Sequence, residues 1–345
     1  MKKLYLPGCL FLFFSALSGF GDVPSVPVST TVQSDSPDGW PRTIETIKGP
    51  ITLKKPPERI ISTSVTLTGT LLTVNAPLVA SSATKHMTSV TDETGFFTQW
   101  STLAQSRQVK ALYQGEVNTE AVLAENPDLI VVSATGGDSA LKAYEQLSQI
   151  APTLVINYDD KSWEDLALLL GKATGHEADA SRAIASFDAH LQTVKQRIRL
   201  PQQPVSAMVY YEDNSGANIW TTDSAQGRLL TRLGFSLAAL PTQVAGQTET
   251  LGRKDIVPVS GERFQQSLTG KTLMLFSADE KTAASVRQNH FLAQHPAIQS
   301  GRVYPLGIDT FRLDYYSATN LLHRLDQLFS VSAANAGGTV EQTGS

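Results

Sequence analysis

Glu177-Ala-Asp-Ala-Ser-Arg-Ala-Ile-Ala-Ser-Phe-Asp-Ala-His-Leu-Gln-Thr-Val-Lys-Gln-Arg-Ile-Arg199 is the stretch on which the reading of the fold turns. Ile184, Phe187, Leu191, Val194 and Ile198 recur at three- and four-residue spacing, which places them on one face of a helix. Glu177 and Asp179 fall in its first turn, and Lys195, Arg197 and Arg199 in its last, each opposing the helix dipole favourably. Gly175 precedes the helix and Pro201 stops it. At 1.5 Å per residue the stretch runs roughly 35 Å, about the width of a small domain. Strands alternate with helices before it, and the same alternation begins again after it. Two readings follow: a stiff spine between two similar lobes, or a crossover helix inside one α/β domain. The chain length and the repeated pattern favour the spine.

The chain has 345 residues and a formal charge of −4. Residues 1–21 read as an export signal: Lys2-Lys3, an apolar run from Leu4 to Leu17, then small residues around Ser18, Gly19 and Gly21. Its removal takes Lys2 and Lys3 with it and leaves the remainder at −6. That acidity argues against a nucleic-acid partner. Cys9, the only cysteine, follows Leu6-Pro7-Gly8 as at a lipoprotein cleavage site, but the apolar run continues beyond it to Leu17. Signal-peptidase cleavage is therefore favoured over a lipid anchor. The exported chain then carries neither disulfide nor thiolate chemistry, and no other stretch has the length of a membrane span. A periplasmic location is expected.

Residues 22–40, rich in Ser, Pro, Thr and Val, read as a flexible leader, and 331–345 as a disordered tail. Between them lie an N-terminal α/β lobe over 41–174, the linking helix over 175–200 and a C-terminal α/β lobe over 201–330. A hairpin is predicted from Arg42 to Leu53, turning at Lys48-Gly49-Pro50. Strands are predicted at Ile60–Thr63, Pro77–Ser81, Leu129–Ala134 and Thr153–Tyr158, then at Val205–Tyr211, Asn218–Thr221, Ile256–Val259, Thr272–Ser277 and Val303–Leu306, with those at 60–63, 129–134, 272–277 and 303–306 buried. Ser162-Trp163-Glu164-Asp165 caps the helix that ends at Gly175. The sum is two lobes with mostly parallel sheets, which bind ligands at the carboxyl ends of their strands.

Catalytic signatures are absent. Gly270-Lys271-Thr272 is no phosphate loop, because the position that must be glycine is Gln265. Ser82-Ala83-Thr84-Lys85 has the Ser-x-x-Lys pattern without its Ser-Asp-Asn and Lys-Thr-Gly companions. The histidines at 86, 176, 190, 290, 295 and 323 show no His-x-x-x-His pairing, so neither a metal site nor a catalytic residue is assigned. His176 and His190 read as solvated, and His290 and His295 as packing residues.

An exported α/β protein of two lobes without catalytic motifs fits a solute receptor of an ABC importer. Several strings carry a narrower resemblance: Glu58-Arg-Ile-Ile-Ser-Thr-Ser-Val-Thr-Leu-Thr-Gly-Thr-Leu71, Ser133-Ala-Thr-Gly-Gly-Asp-Ser-Ala140, Ile150-Ala-Pro-Thr-Leu-Val-Ile-Asn-Tyr-Asp-Asp-Lys-Ser-Trp163 and Thr310-Phe-Arg-Leu-Asp-Tyr-Tyr-Ser317. From about Trp40 to Phe329 the chain resembles the ferric-enterobactin-binding branch of the helical-backbone receptors of iron–siderophore importers. The resemblance implies two Rossmann-like lobes joined by one long backbone helix, the class III periplasmic-binding-protein architecture. It also implies a non-enzymatic, monomeric receptor that passes a ferric catecholate siderophore to an inner-membrane ABC permease. No cofactor is implied, because the iron arrives fully coordinated. Alternatives are another iron–siderophore, haem or cobalamin on the same fold, or a siderophore hydrolase.

A ferric tris-catecholate is a trianion with flat faces, so its site needs Arg or Lys together with aromatic side chains. By the resemblance, Trp220 and Arg312 are ligand-binding residues. A core tryptophan is the alternative for Trp220, but the flanking Gly216, Asn218, Thr221 and Thr222 favour a cleft edge; an internal salt bridge to Asp309 or Asp314 is the less favoured alternative for Arg312. Arg253, with Lys254, adds positive charge or is a solvated surface pair. Ser89 stands where the family has an arginine, and Thr98 also replaces a basic residue. Lys85 is the candidate to supply the charge, although a lysine does not reproduce guanidinium geometry. Glu120 and Glu262 match the glutamates that dock onto permease arginines, and each also opens a short helix where a carboxylate is favoured anyway. Trp100, Trp163 and Tyr158 are expected to pack.

Overall fold

A computed structural model of the chain describes residues 32–34, 39–211, 213, 215–245 and 254–331. The stretch read as an export signal, with Cys9, most of the expected leader, the tail beyond residue 331 and Arg253 lie outside the described residues. The predicted hairpin is present, with β2 (Arg42–Ile44) antiparallel to β3 (Ile51–Leu53), and the turn closed by the Gly49 amide on the Thr46 carbonyl at 3.0 Å. Part of the leader differs from the flexible reading. Val32–Ser34 forms β1, which extends this small sheet on the free edge of β2.

Ile60-Ile61-Ser62, fully buried, is β4 and the centre of the first large sheet. It pairs in parallel with β5 (Leu78–Ala83) on one side and β7 (Leu129–Ser133) on the other, and β6 (Lys110–Gln114) and β8 (Thr153–Ile156) complete the order β6-β5-β4-β7-β8. All four pairings are parallel, and the chain reverses its direction of travel across the sheet at β4. This is the topological switch point at which open parallel sheets bind ligands. The sequence reading has no strand at Lys110–Gln114. That strand is an edge, with three of its five residues exposed, so it lacks the apolar run that marks its neighbours.

The second sheet has the order β11-β10-β9-β12-β13, built from β9 (Val205–Tyr210), β10 (Gly216–Trp220), β11 (Ile256–Ser260), β12 (Thr272–Leu275) and β13 (Val303–Pro305). β12 is parallel to β9 and β13, but β10 is antiparallel to both β9 and β11. The expectation of a mostly parallel sheet therefore holds for the first lobe, and the second is mixed. Only five residues separate β9 from β10, and a parallel return needs a dozen or more.

The linking helix spans Glu177–Arg197, with Phe187, Leu191 and Val194 buried on the predicted face, joined by Ala180. Before it, Ser162 and Asp165 form a reciprocal capping box, and Gly175 at φ 82° ends the preceding helix, Trp163–Thr174. The closing helix, Tyr315–Phe329, packs on the linking helix and also reaches the first-lobe helices Val65–Thr73 and Thr98–Ser106. Phe187, Trp163, Leu321 and Phe276 consequently share one hydrophobic cluster that runs through both lobes and the helix between them. Arg232, on the second-lobe helix Ala225–Leu233, pairs with Glu164 of the first lobe and Asp188 of the linking helix, lying 5.8 Å over the Phe187 ring. Of the histidines, His190 is half-buried against His323 at 4.5 Å between ring centroids. Burial chiefly, with His323 beside it, pushes its pKa down. His295 is buried and caps the helix Pro296–Gln299, while His290, read as packing, is exposed against Phe291.

Candidate functional site

The carboxyl ends of β4, β5, β6 and β7 open onto a cavity of about 600 Å³, lined among others by Thr63, Ser82, Lys85, Tyr113 and Asp138. Arg312 reaches it from the second lobe. A second cavity of about 390 Å³ continues between the lobes and also has Arg312 in its wall, together with Tyr158, Trp163, Trp220 and Phe311. Arg312 thus stands between two chambers of one cleft.

Local chemistry explains why Arg312 is presented there. Asp309, buried, is held by Arg324 at 2.6 Å and Asn320 at 2.9 Å. Two residues beyond Arg312, Asp314 caps the closing helix by accepting from the Ser317 amide at 2.8 Å. Burial pushes the Asp314 carboxyl up, against the hydrogen bonds it accepts. Gln226 clamps the intervening backbone by donating to the carbonyls of Thr310 and Phe311, at 3.2 and 2.6 Å. Neither aspartate is left to pair with Arg312, which disposes of the internal salt bridge. Phe311 and Arg312, both exposed, project from between these anchors.

Across the cleft the Arg312 guanidinium donates to Thr66 Oγ1 at 2.9 Å and to the Tyr158 hydroxyl, and lies 5.0 Å from the Tyr158 ring centroid. Tyr158 donates in turn to Asp138 Oδ1 at 3.2 Å, while Asp138 Oδ2 accepts from Ser64 Oγ at 2.6 Å and from the Thr66 amide at 2.9 Å. Burial pushes the Tyr158 phenol up, reinforced by Asp138 and opposed by Arg312, so it remains protonated and serves as donor and acceptor. Among the described residues no carboxylate forms an ion pair with Arg312. Its charge is held by neutral oxygens and stays available to an anion.

Trp220, at the end of β10, is only 6% exposed, and its ring packs on Phe311 at 5.7 Å. It is at once a core residue and part of the cleft wall. Lys85 is exposed and lines the larger cavity. Ser89 is exposed on the same loop but contributes to neither chamber wall. That loop is organised by Asp92, whose Oδ1 accepts from the Thr94 amide at 2.9 Å, the Thr94 hydroxyl at 2.7 Å and the Phe96 amide at 3.0 Å. Burial alone pushes Asp92 up, but these bonds together outweigh it and leave the carboxyl below its ordinary range. Lys254 is exposed just before β11. Glu120 is exposed in the first turn of the helix Thr119–Ala124, capped by Asn118, and Glu262 opens the helix Glu262–Ser267 in the other lobe.

Trp100 is buried as expected, but Tyr158 and Trp163, expected only to pack, also face the cleft. Tyr158, Thr66 and Asp138 are the candidate-site residues that residue-by-residue reading misses. Gly136 gives a direct test of their arrangement. Its φ is +85°, and an added Cβ would lie 1.7 Å from the Tyr158 hydroxyl oxygen. Gly136→Ala is expected to displace Tyr158, to cost about 1–2 kcal/mol of stability and to lower ligand affinity several-fold, read by urea denaturation and by ligand titration. Unchanged affinity would separate Tyr158 from the site.

Two α/β lobes, a helical spine and an aromatic-lined cleft with Arg312 set between its two chambers define a substrate-binding protein. The chain belongs to the Periplasmic binding protein family, whose profile matches residues 60–310. It is 51% identical over 290 residues to the ferric enterobactin-binding periplasmic protein FepB of Escherichia coli O6:H1, a match covering 84% of this chain and 91% of that one. The crystal structure of holo-ViuP is similar with a TM-score of 0.76 and 35% identity, covering 86% of this chain and 98% of the other. Staphylococcus aureus SirA complexed with staphyloferrin B shares the fold at a TM-score of 0.62 and 19% identity, covering 85% and 98%.

Proposed function

We propose that this chain is the periplasmic receptor for a ferric catecholate siderophore, ferric enterobactin or a close relative, and hands it to an inner-membrane ABC permease. The observation that carries the reading is Arg312: an exposed guanidinium with no carboxylate partner among the described residues, fixed across the cleft by Tyr158 and Thr66. Around it the larger chamber holds Lys85 and Arg312 against the single acid Asp138, whereas the smaller one is lined by five aspartates against Lys161, Arg228 and Arg312. A trianion therefore belongs in the larger chamber, with the flat rings of Trp220, Phe311 and Tyr158 in the adjoining smaller one. The iron remains within its own ligand shell, and the protein recognises the outer face of the complex. The likeness to FepB, a protein named for ferric enterobactin, supports the same ligand class, and the curated relatives are named as binding proteins rather than enzymes. Glu120 and Glu262, at the starts of short helices in opposite lobes, are the proposed contacts to the permease.

Intrinsic tryptophan fluorescence tests this, because Trp163 and Trp220 line the cleft. Ferric enterobactin is expected to quench it saturably, and a ferric hydroxamate, haem and cobalamin are not. Saturable quenching only by one of the latter three would reject the catecholate assignment.

A further inference from the structure

The first-lobe wall of the larger chamber contains two hydroxyls with nothing to bind. The Tyr113 phenolic oxygen, near the end of edge strand β6, and the Ser82 hydroxyl, near the end of β5, are shielded from solvent and make no hydrogen bond among the described residues. Ser82 is only 5% exposed, and both residues line the 600 Å³ cavity. A buried polar group without a partner costs about 1–3 kcal/mol, and such orphans are rare enough in native proteins to need a reason. Other hydroxyls of this wall are paired: Thr63 Oγ1 with the Val131 carbonyl, Thr66 Oγ1 with Arg312, and Ser139 with the Ser133 carbonyl. The two unpaired ones belong to neighbouring strands of the parallel sheet, at the ends that face the chamber.

We propose that Tyr113, with Ser82 beside it on the adjacent strand, is a further specificity-determining contact: each donates its hydroxyl hydrogen to an anionic oxygen of the ligand in the larger chamber. This rests on the reading of the cleft as a site for an anionic iron complex. The charge inventory gives it a purpose. Two cations and one carboxylate leave the chamber one positive charge to set against a trianion. Neutral O–H donors stabilise the remaining anionic oxygens without bringing further charge out of water. Burial, reinforced by the charge of Asp138, pushes the Tyr113 phenol far above its ordinary value, so it stays a donor throughout the physiological range. A ligand that presents carbonyl or methyl groups at this wall in place of charged oxygens gains less from it. Tyr113 and Ser82 would therefore select for a ligand as well as hold it.

Tyr113→Phe and Ser82→Ala remove one oxygen each and break no internal bond, so both chains should fold. Titrated with ferric enterobactin by tryptophan fluorescence, Tyr113→Phe is expected to bind about tenfold more weakly than wild type and Ser82→Ala several-fold more weakly. The ligand-free melting temperature of each should stay the same or rise, since an unpaired buried hydroxyl is removed. Affinity within twofold of wild type in Tyr113→Phe, or a lowered melting temperature with affinity intact, would overturn the inference and leave the receptor assignment standing. If the wild-type chain itself fails to bind the ferric catecholate, the receptor assignment falls, and this inference with it.

Discussion

Arg312→Ala is expected to weaken ferric-catecholate binding by more than tenfold. The guanidinium is exposed to the cleft, ion-pairs with no described carboxylate and is aimed by two neutral first-lobe oxygens. A hydrogen bond to a charged group contributes about 1.5–3 kcal/mol net, and 1.4 kcal/mol is a factor of ten. Removing the side chain also leaves Tyr158 and Thr66 without their partner from the other lobe, so the empty cleft loses its cross-link as well. Arg312→Lys separates charge from geometry: a lysine keeps the charge but cannot hold Thr66 and Tyr158 in the same fork. Affinity intermediate between wild type and alanine is expected for it. Equal affinity in wild type and Arg312→Ala, measured by fluorescence titration, would remove this residue from the site.

Phe187→Ala is expected to cost about 3–5 kcal/mol of stability, measured by urea denaturation, as large-to-small changes of buried aromatics do. Phe187 is 2% exposed in the middle of the linking helix, edge-on to Trp163 at 5.1 Å and beneath Arg232. Its removal leaves a void where the first lobe, the linking helix and the second lobe meet. Trp163 also lines the cleft, so affinity should fall along with stability. A loss below about 1 kcal/mol would mean that the junction collapses freely around the gap.

Much of this architecture was legible in the residues. The apolar stripe of 177–199 matched a helix of Glu177–Arg197 within two residues, and Ser162 with Asp165 announced the cap before it. Those signals are local, set by spacing and by the unpaired amides of a first turn. Edge strand β6 was not legible, because a strand with solvent on its faces loses the apolar signature, and Tyr113 was missed with it. The antiparallel turn in the second lobe was available in the short gap after Tyr210, but a count of strands does not use loop length. Arg312 and Trp220 were accessible through the resemblance of whole strings. Their setting was not: Tyr158, Thr66 and Asp138 are separated from Arg312 by 154 residues or more, and only the folded chain brings them together. The loop of Lys85 and Ser89 was opaque for a related reason, since Asp92 shapes it partly through backbone amides, which any sequence supplies.

The closing helix carries one more implication. It belongs to the second half of the chain by position, yet its apolar side lies on helices of the first half and on the linking helix. Each half therefore relies on surface supplied by the other, and neither is a self-sufficient unit that could be excised or exchanged whole. Transplanting ligand preference between such receptors is a matter of the cleft's rim and walls, never of swapping one half for another.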